Sequence, residues 1–247
     1  MRTIPREYLV NYTKALAGVS EAAKESLAIA LAGIDWDRPV AEVRDEIIAV
    51  MQQACGASTD VAARLAADFY DGMAALYGAP SSYRATTESM RDPKATDGAI
   101  RAFVEELVDG GDPQDVIDLC LGRIDYEDTL AANMNTFVNT QRDPRKPKLA
   151  RVPTGAETCE FCIMLASRGF VYHAQNVATH VHANCDCRLV PGFNGATEVA
   201  GYDPAYYEDV YRHPEDHPEV REARNARRRE LRAIRRDEAA GELPDGE

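Results

Sequence analysis

The sequence predicts a mainly α chain: a helical N-terminal body, a small Cys/His-rich α+β module, and a basic C-terminal helix. Three observations carry this prediction. Apolar residues recur at helical spacing through residues 1–140, four of the six cysteines fall between Cys159 and Cys187, and eight arginines crowd residues 221–236. The boundaries that follow are 1–140 for the body, 141–153 for a basic linker, 154–195 for the module and 196–247 for a Tyr-rich segment with an Arg-rich tail.

Within the body, Arg6 to about Leu31 is rich in Ala, Leu, Glu and Lys, all good helix formers. Pro39 opens a second helix with Val43, Ile47 and Val50 on one face. Thr59 or Asp60 is positioned to cap a third, carrying Val61, Leu65, Phe69 and Met73, which Gly78 and Pro80 close. The polar "SSYRATTESMRDPKATD" connects it to a helix from Thr96 or Asp97 with Ile100, Phe103, Val104 and Leu107. "GGDPQD" ends that helix and starts the last, with Asp112 as cap and Pro113 in the first turn. Leu130, Met134, Phe137 and Val138 carry the pattern to about Thr140. These stripes are a helical core, not a cofactor pocket. Cys55 and Cys120 sit alone in apolar surroundings and read as buried thiols.

The composition changes at "QRDPRKPKLARVPTG", where two lysines, three arginines and three prolines make an extended basic connection. Beyond it, "GFVY" and "CRLVPGF" have strand character. Cys159-x2-Cys162 has the spacing of a tight turn that offers two thiolates to one ion, and His180, His182, Cys185 and Cys187 offer more ligands than a tetrahedral zinc requires. The most compact completion is His182 with Cys185 or Cys187, a closed Cys3His site that is structural; the spacing leaves open which of the two cysteines is the fourth ligand. Disulfide exchange at the CxxC is disfavoured, because neither βαβ surroundings nor a helix-opening position is evident. His173, His213 and His217 read as solvated.

The formal net charge is −13, unevenly spread: residues 1–140 hold 12 basic and 23 acidic side chains, and residues 141–247 hold 16 and 18. Such acidity excludes a protein that coats DNA over its whole surface. It leaves local contact to Arg221, Arg224, Arg227, Arg228, Arg229, Arg232, Arg235 and Arg236, whose guanidinium forks suit phosphates and carboxylates alike. A nucleic-acid contact, an acidic protein surface and a merely solvated helix all remain readings of that run. No apolar stretch approaches the ~20 residues needed to cross a bilayer, and the N-terminus lacks the features of a secretory signal, so a reducing interior is expected.

"RVPTGAETCEFCIMLASRGFVY" followed by "HANCDCRLVPGF" resembles the minor capsid, or head-morphogenesis, proteins of tailed bacteriophages. The resemblance is to the group similar to the F protein of phage Mu, in its actinobacteriophage form. It is specific over about residues 150–193, where the CxxC, the "ASRG" turn at Arg168 and Gly169, and the H-x-N-C-x-C ending come in order. It implies a non-enzymatic virion component made in the host cytoplasm and packaged inside the head at the portal vertex. The implied partners are the portal and other capsid proteins and viral double-stranded DNA, with no membrane and no small-molecule substrate. The competing reading is a zinc-containing nucleic-acid enzyme of His-Asn-His type, since "HVHANC" holds two histidines and an asparagine. No helix with a further histidine or asparagine follows, and no phosphate loop, Ser-His-Asp set or paired catalytic carboxylates stand out.

Overall fold

Ala, Leu and Glu run without a breaker from Arg6, and in the computed structural model they form helix α1 (Arg6–Ala32). The structure describes residues 3–76, 80–108, 110–155, 158–179, 181, 187–193, 198–222 and 225. Helix α2 (Val40–Leu76) is one continuous element where two were expected. Thr59 is the reason: it is fully buried, and its Oγ1 donates back to the Cys55 carbonyl at 2.6 Å. A threonine whose hydroxyl is bonded to the preceding turn is an interior helix residue and does not cap a new helix. The buried face of its second half is set by Ala62, Ala63, Ala66, Phe69 and Met73, while Val61 is 47 % exposed.

Residues 80–92 cross the surface without regular structure, and helix α3 (Pro93–Val108) begins earlier than expected, with the Asp92 carboxylate accepting from Lys94 N. Its Ile100 and Val104 close the core formed by Leu27, Leu31, Ile47, Met51, Val116 and Ile124. Cys55 and Cys120 lie fully buried in that core, where desolvation pushes each thiol up to about 12. Helix α4 (Pro113–Arg142) starts as expected, Asp112 Oδ1 accepting from Gln114 N at 2.9 Å.

Helix α4 is the central element, packed on α1, α2 and α3, yet much of what it buries is polar: Glu127, Asp128, Asn133, Asn135, Thr136, Asn139 and Thr140. Most buried polar groups are paired, and here many of the partners lie in the 80–92 strap. Asn139 Oδ1 accepts from Tyr83 Oη at 2.6 Å and Thr86 N at 2.8 Å, while the Asn135 and Asn139 amides donate to the Thr86 carbonyl. Arg142 pairs with Glu88 at the far end. The strap is therefore held by side chains of α4, without a strand ladder.

The second half of the basic stretch 141–153 is strand β2 (Lys148–Pro153), antiparallel to β3 (Cys187–Gly192), with Arg151 opposite Leu189 and Pro153 opposite Cys187. Strand alternation gives the pair two faces. Ala150, Val152 and Val190 join the core of the helical body, together with Leu9, Leu16, Phe69, Met73 and Ala132. Leu149 and Leu189 join a smaller core with Met134, Leu165 and Val177. The body and the cysteine-bearing part thus share packing across one two-stranded wall. "GFVY" contributes a single bridge, Tyr172 to Leu149, in place of a strand. Short helices α5 (Glu160–Ala166) and α6 (Asn176–Thr179) pack on the wall, α7 (Pro204–Arg212) packs on α5, and β1 (Thr3–Ile4) pairs in parallel with β4 (Glu198–Val199). Gly169 turns the chain after α5 at φ +66°, and a Cβ there would meet Pro204 Cγ at 3.3 Å. Among the described residues, no helix is long and apolar enough to cross a membrane.

Candidate metal centre

Strand β3 starts on Cys187 and α5 starts just after Cys159, so the ends of two elements bring three thiols to one place. Cys187 is fully buried, Cys162 is buried and Cys159 partly so, and the three form a cluster of their own. Cys162 Sγ lies 3.0 Å from Cys187 Sγ. That is well beyond an S–S bond of ~2.05 Å and is the contact of two thiols sharing a hydrogen bond. Cys159 is the N-cap of α5, its Sγ accepting from Cys162 N at 3.3 Å. The CxxC therefore does open a helix, contrary to expectation, although β2 and β3 are antiparallel and no parallel βαβ unit surrounds it.

Arg151 completes the cluster. Among the described residues it is the largest fully buried side chain, and its Nη1 donates to Cys187 Sγ at 3.3 Å. The sequence places it in an extended basic connection, and the structure buries it. The period-2 pattern of "KLARVP" was the available signal, since it places Arg151 on the same side of the strand as Leu149.

Donor type and burial in this cluster suit a soft divalent ion. Thiolates on a tetrahedral zinc with bonds of ~2.3 Å stand about 3.8 Å apart, so the Cys162 and Cys187 sulfurs would separate modestly to admit one. Of the expected ligands, Cys159, Cys162 and Cys187 are brought together, while His182 and Cys185 lie outside the described residues, as does His180. Among the described residues, the one trio of metal-capable groups in which every ligand atom lies within 4.8 Å of the others is His213, Glu215 and Asp216, all exposed.

Of the basic run, Arg221 is described, exposed on a helical stretch at 218–222; Arg224, Arg227, Arg228, Arg229, Arg232, Arg235 and Arg236 lie outside the described residues. His173 and His213 are exposed as expected, but His217 is not simply solvated. Its side chain is 14 % exposed, with Nε2 2.8 Å from Asp209 Oδ2 and Nδ1 3.2 Å from Glu219 Oε1, and these carboxylates raise its pKa.

Two further polar clusters escaped the sequence reading. Asp143 is fully buried and accepts from Tyr70 Oη at 2.9 Å and from Arg145 Nη2 at 2.6 Å. Burial alone would raise Asp143, but the hydrogen bonds from Arg145 and Tyr70 hold it below the usual range. Asp128 is buried between α1 and α4, accepting from Ser20 Oγ at 2.8 Å; desolvation pushes it up to about 6 against the lowering influence of Ser58 and Ser20. Asn135, Asn139 and Arg142 share a helical stripe at i, i+4 and i+7, a pattern that can be seen in the sequence but is indistinguishable there from a solvated face.

No curated protein and no solved structure matches this chain. The family model described as VG15 protein matches residues 3–213, a span that includes the helical body, the strap, the two-stranded wall and the thiol cluster. The chain therefore belongs to the VG15 protein family, a family of phage proteins.

Proposed function

We propose that the chain is a minor capsid protein of a tailed phage, similar in role to the head-morphogenesis proteins that resemble protein F of phage Mu. It is made in the host cytoplasm and packaged inside the head, where it docks at the portal vertex and acts without catalysis. The observation that carries this reading is the family match across residues 3–213, which spans both the acidic helical body and the cysteine unit. The division of charge supports the rest. A body of 23 acidic against 12 basic side chains is repelled by packaged DNA and suits portal and capsid proteins, whereas the eight arginines at 221–236 suit phosphates.

Within this reading, Cys159, Cys162, Cys187 and His182 hold one structural Zn2+. Support for Cys187 comes from its burial against Cys162; Cys185 is the alternative fourth ligand. A bound ion would supply cross-linking only: it would pin α5 to the start of β3, at the wall that both cores share, where the apolar surface alone is small.

A nonsense mutation in the gene of the phage that encodes this chain tests the proposal. Host lysis and tail production are expected to continue while infectious heads are lost. A normal yield of infectious particles from a non-suppressing host would contradict it.

A further inference from the structure

The body of the chain is acidic, yet the connection from α4 into β2 gathers three cations within four residues, Arg145, Lys146 and Lys148. All three line a cleft of about 450 Å3. The rest of its lining includes Phe170 from the turn after α5, Phe193 just after β3 and Tyr202 just before α7. None of these belongs to residues 194–197, which lie outside the described residues. The aromatic side is firmly held: Tyr202 is buried, its Oη donates to the Ala166 carbonyl at 2.6 Å, and Phe170 meets its ring edge-on with centroids 6.5 Å apart. On the cationic side, Arg145 is bonded to Asp143 and lies 4.6 Å over the Phe193 ring. Lys146 and Lys148 are exposed, and among the described residues no carboxylate pairs with either. The Lys146 ammonium donates to the Gln141 carbonyl at the end of α4, which uses one of its three N–H groups. Lys146 also has φ +48°, a left-handed backbone that suits Gly or Asn better than a lysine. Strain of that kind in the lining of a cleft points to a function for the side chain it presents.

We propose that this cleft binds an extended acidic peptide segment of a partner protein, its carboxylates against Lys146 and Lys148 and an apolar side chain against Phe170 and Tyr202. This goes beyond the capsid reading and requires no particular position in a particle. A nucleic-acid strand suits the same cations less well. Glu198 lines the same cleft and repels a continuous polyanion, whereas a peptide sets one or two carboxylates on the lysines and leaves uncharged backbone near Glu198. The surrounding body, with 23 acidic against 12 basic side chains, adds a long-range repulsion that grows with the charge of the ligand. The cleft has the volume of a small-ligand site, enough for a few residues of chain and too little for a duplex.

The test selects from a library of random hexapeptides on the immobilised full chain, and fluorescence anisotropy then measures the most enriched peptide. Enrichment of sequences with two or more acidic residues beside an aromatic or aliphatic one is expected, with binding that weakens as salt rises. Lys146→Asn combined with Lys148→Gln tolerates the left-handed backbone and removes both charges; it is expected to weaken that peptide by about fivefold or more. Phe170→Ala is expected to weaken it too, whereas Arg101→Gln, which neutralises an exposed cation on α3, leaves it unchanged. No acidic consensus, or unchanged affinity in either the double lysine variant or Phe170→Ala, would overturn the proposal. An equal loss in Arg101→Gln would reduce the effect to net charge and overturn it as well. So would a hexathymidylate strand that binds more tightly than the enriched peptide and loses affinity in the double variant, which would assign the cleft to nucleic acid. Should the double variant fail to fold, Lys148→Gln decides alone: a loss of about twofold or more supports the lysine contacts, and unchanged affinity overturns them.

Discussion

Asp128 is a carboxyl group in the wrong place for a protein working at neutral pH, and replacing it should stabilise the chain. It is fully buried where α1 meets α4, with Ser20 donating to one oxygen and Ser58 lying beside the carboxyl group, contacts that offset only part of the desolvation. Desolvation, the largest influence, raises its pKa from 3.8 to about 6. Between those values the folded state keeps a proton that the unfolded chain has released, so stability falls as pH rises through that window. Below pH 3.8 this penalty is absent; above about 6 the whole penalty is present. Each pKa unit is worth ~1.4 kcal/mol, so the penalty at pH 7.5 is about 3 kcal/mol. Asp128→Asn keeps an acceptor for Ser20 and removes the charge. Urea denaturation of both proteins from pH 4 to pH 8 is expected to give curves that nearly meet at the acid end and separate by about 3 kcal/mol at the alkaline end. A gap that is the same at every pH, or a variant less stable at pH 7.5, would refute the assignment of an incompletely compensated carboxylate to this position.

Three other outcomes follow from particular contacts. Asn139→Ala removes the acceptor for Tyr83 and Thr86 and a donor to the Thr86 carbonyl, leaving buried groups unpaired; a loss of about 2–4 kcal/mol is expected, with faster amide exchange confined first to residues 80–92. Gly169→Ala places a Cβ at φ +66° against Pro204 and is expected to cost about 1–2 kcal/mol, read as a lower melting temperature. Cys162→Ser is expected to abolish stoichiometric zinc and lower the melting temperature, while EDTA produces the same drop in the wild-type chain and none in the variant.

Much of the helical body was legible because amphipathic helices announce their period: α1, the Asp112 cap and the buried faces of Ile100, Val104 and Met134 follow from spacing alone. The break expected at Thr59 was misplaced because a threonine that caps and a threonine that bonds back to Cys55 look the same in sequence. The polar interior of α4 was hidden for a related reason. Asn135, Asn139 and Asp128 are ordinary surface residues unless a strap or a neighbouring serine is known to lie over them. At the cysteine cluster, spacing singled out Cys159 and Cys162 with Cys185 or Cys187 and left the choice between the last two open; the fold places Cys187 against Cys162. Arg151 was not legible, since a charge in a proline-rich basic stretch reads as solvated until the strand that buries it is seen pairing with β3.

The most direct test of the central claim is quantitative mass spectrometry of purified phage particles, measuring this chain against the portal protein. The account predicts that the chain is present at a low, fixed ratio to portal in every preparation of filled heads. Particles that contain portal and lack this chain would contradict it.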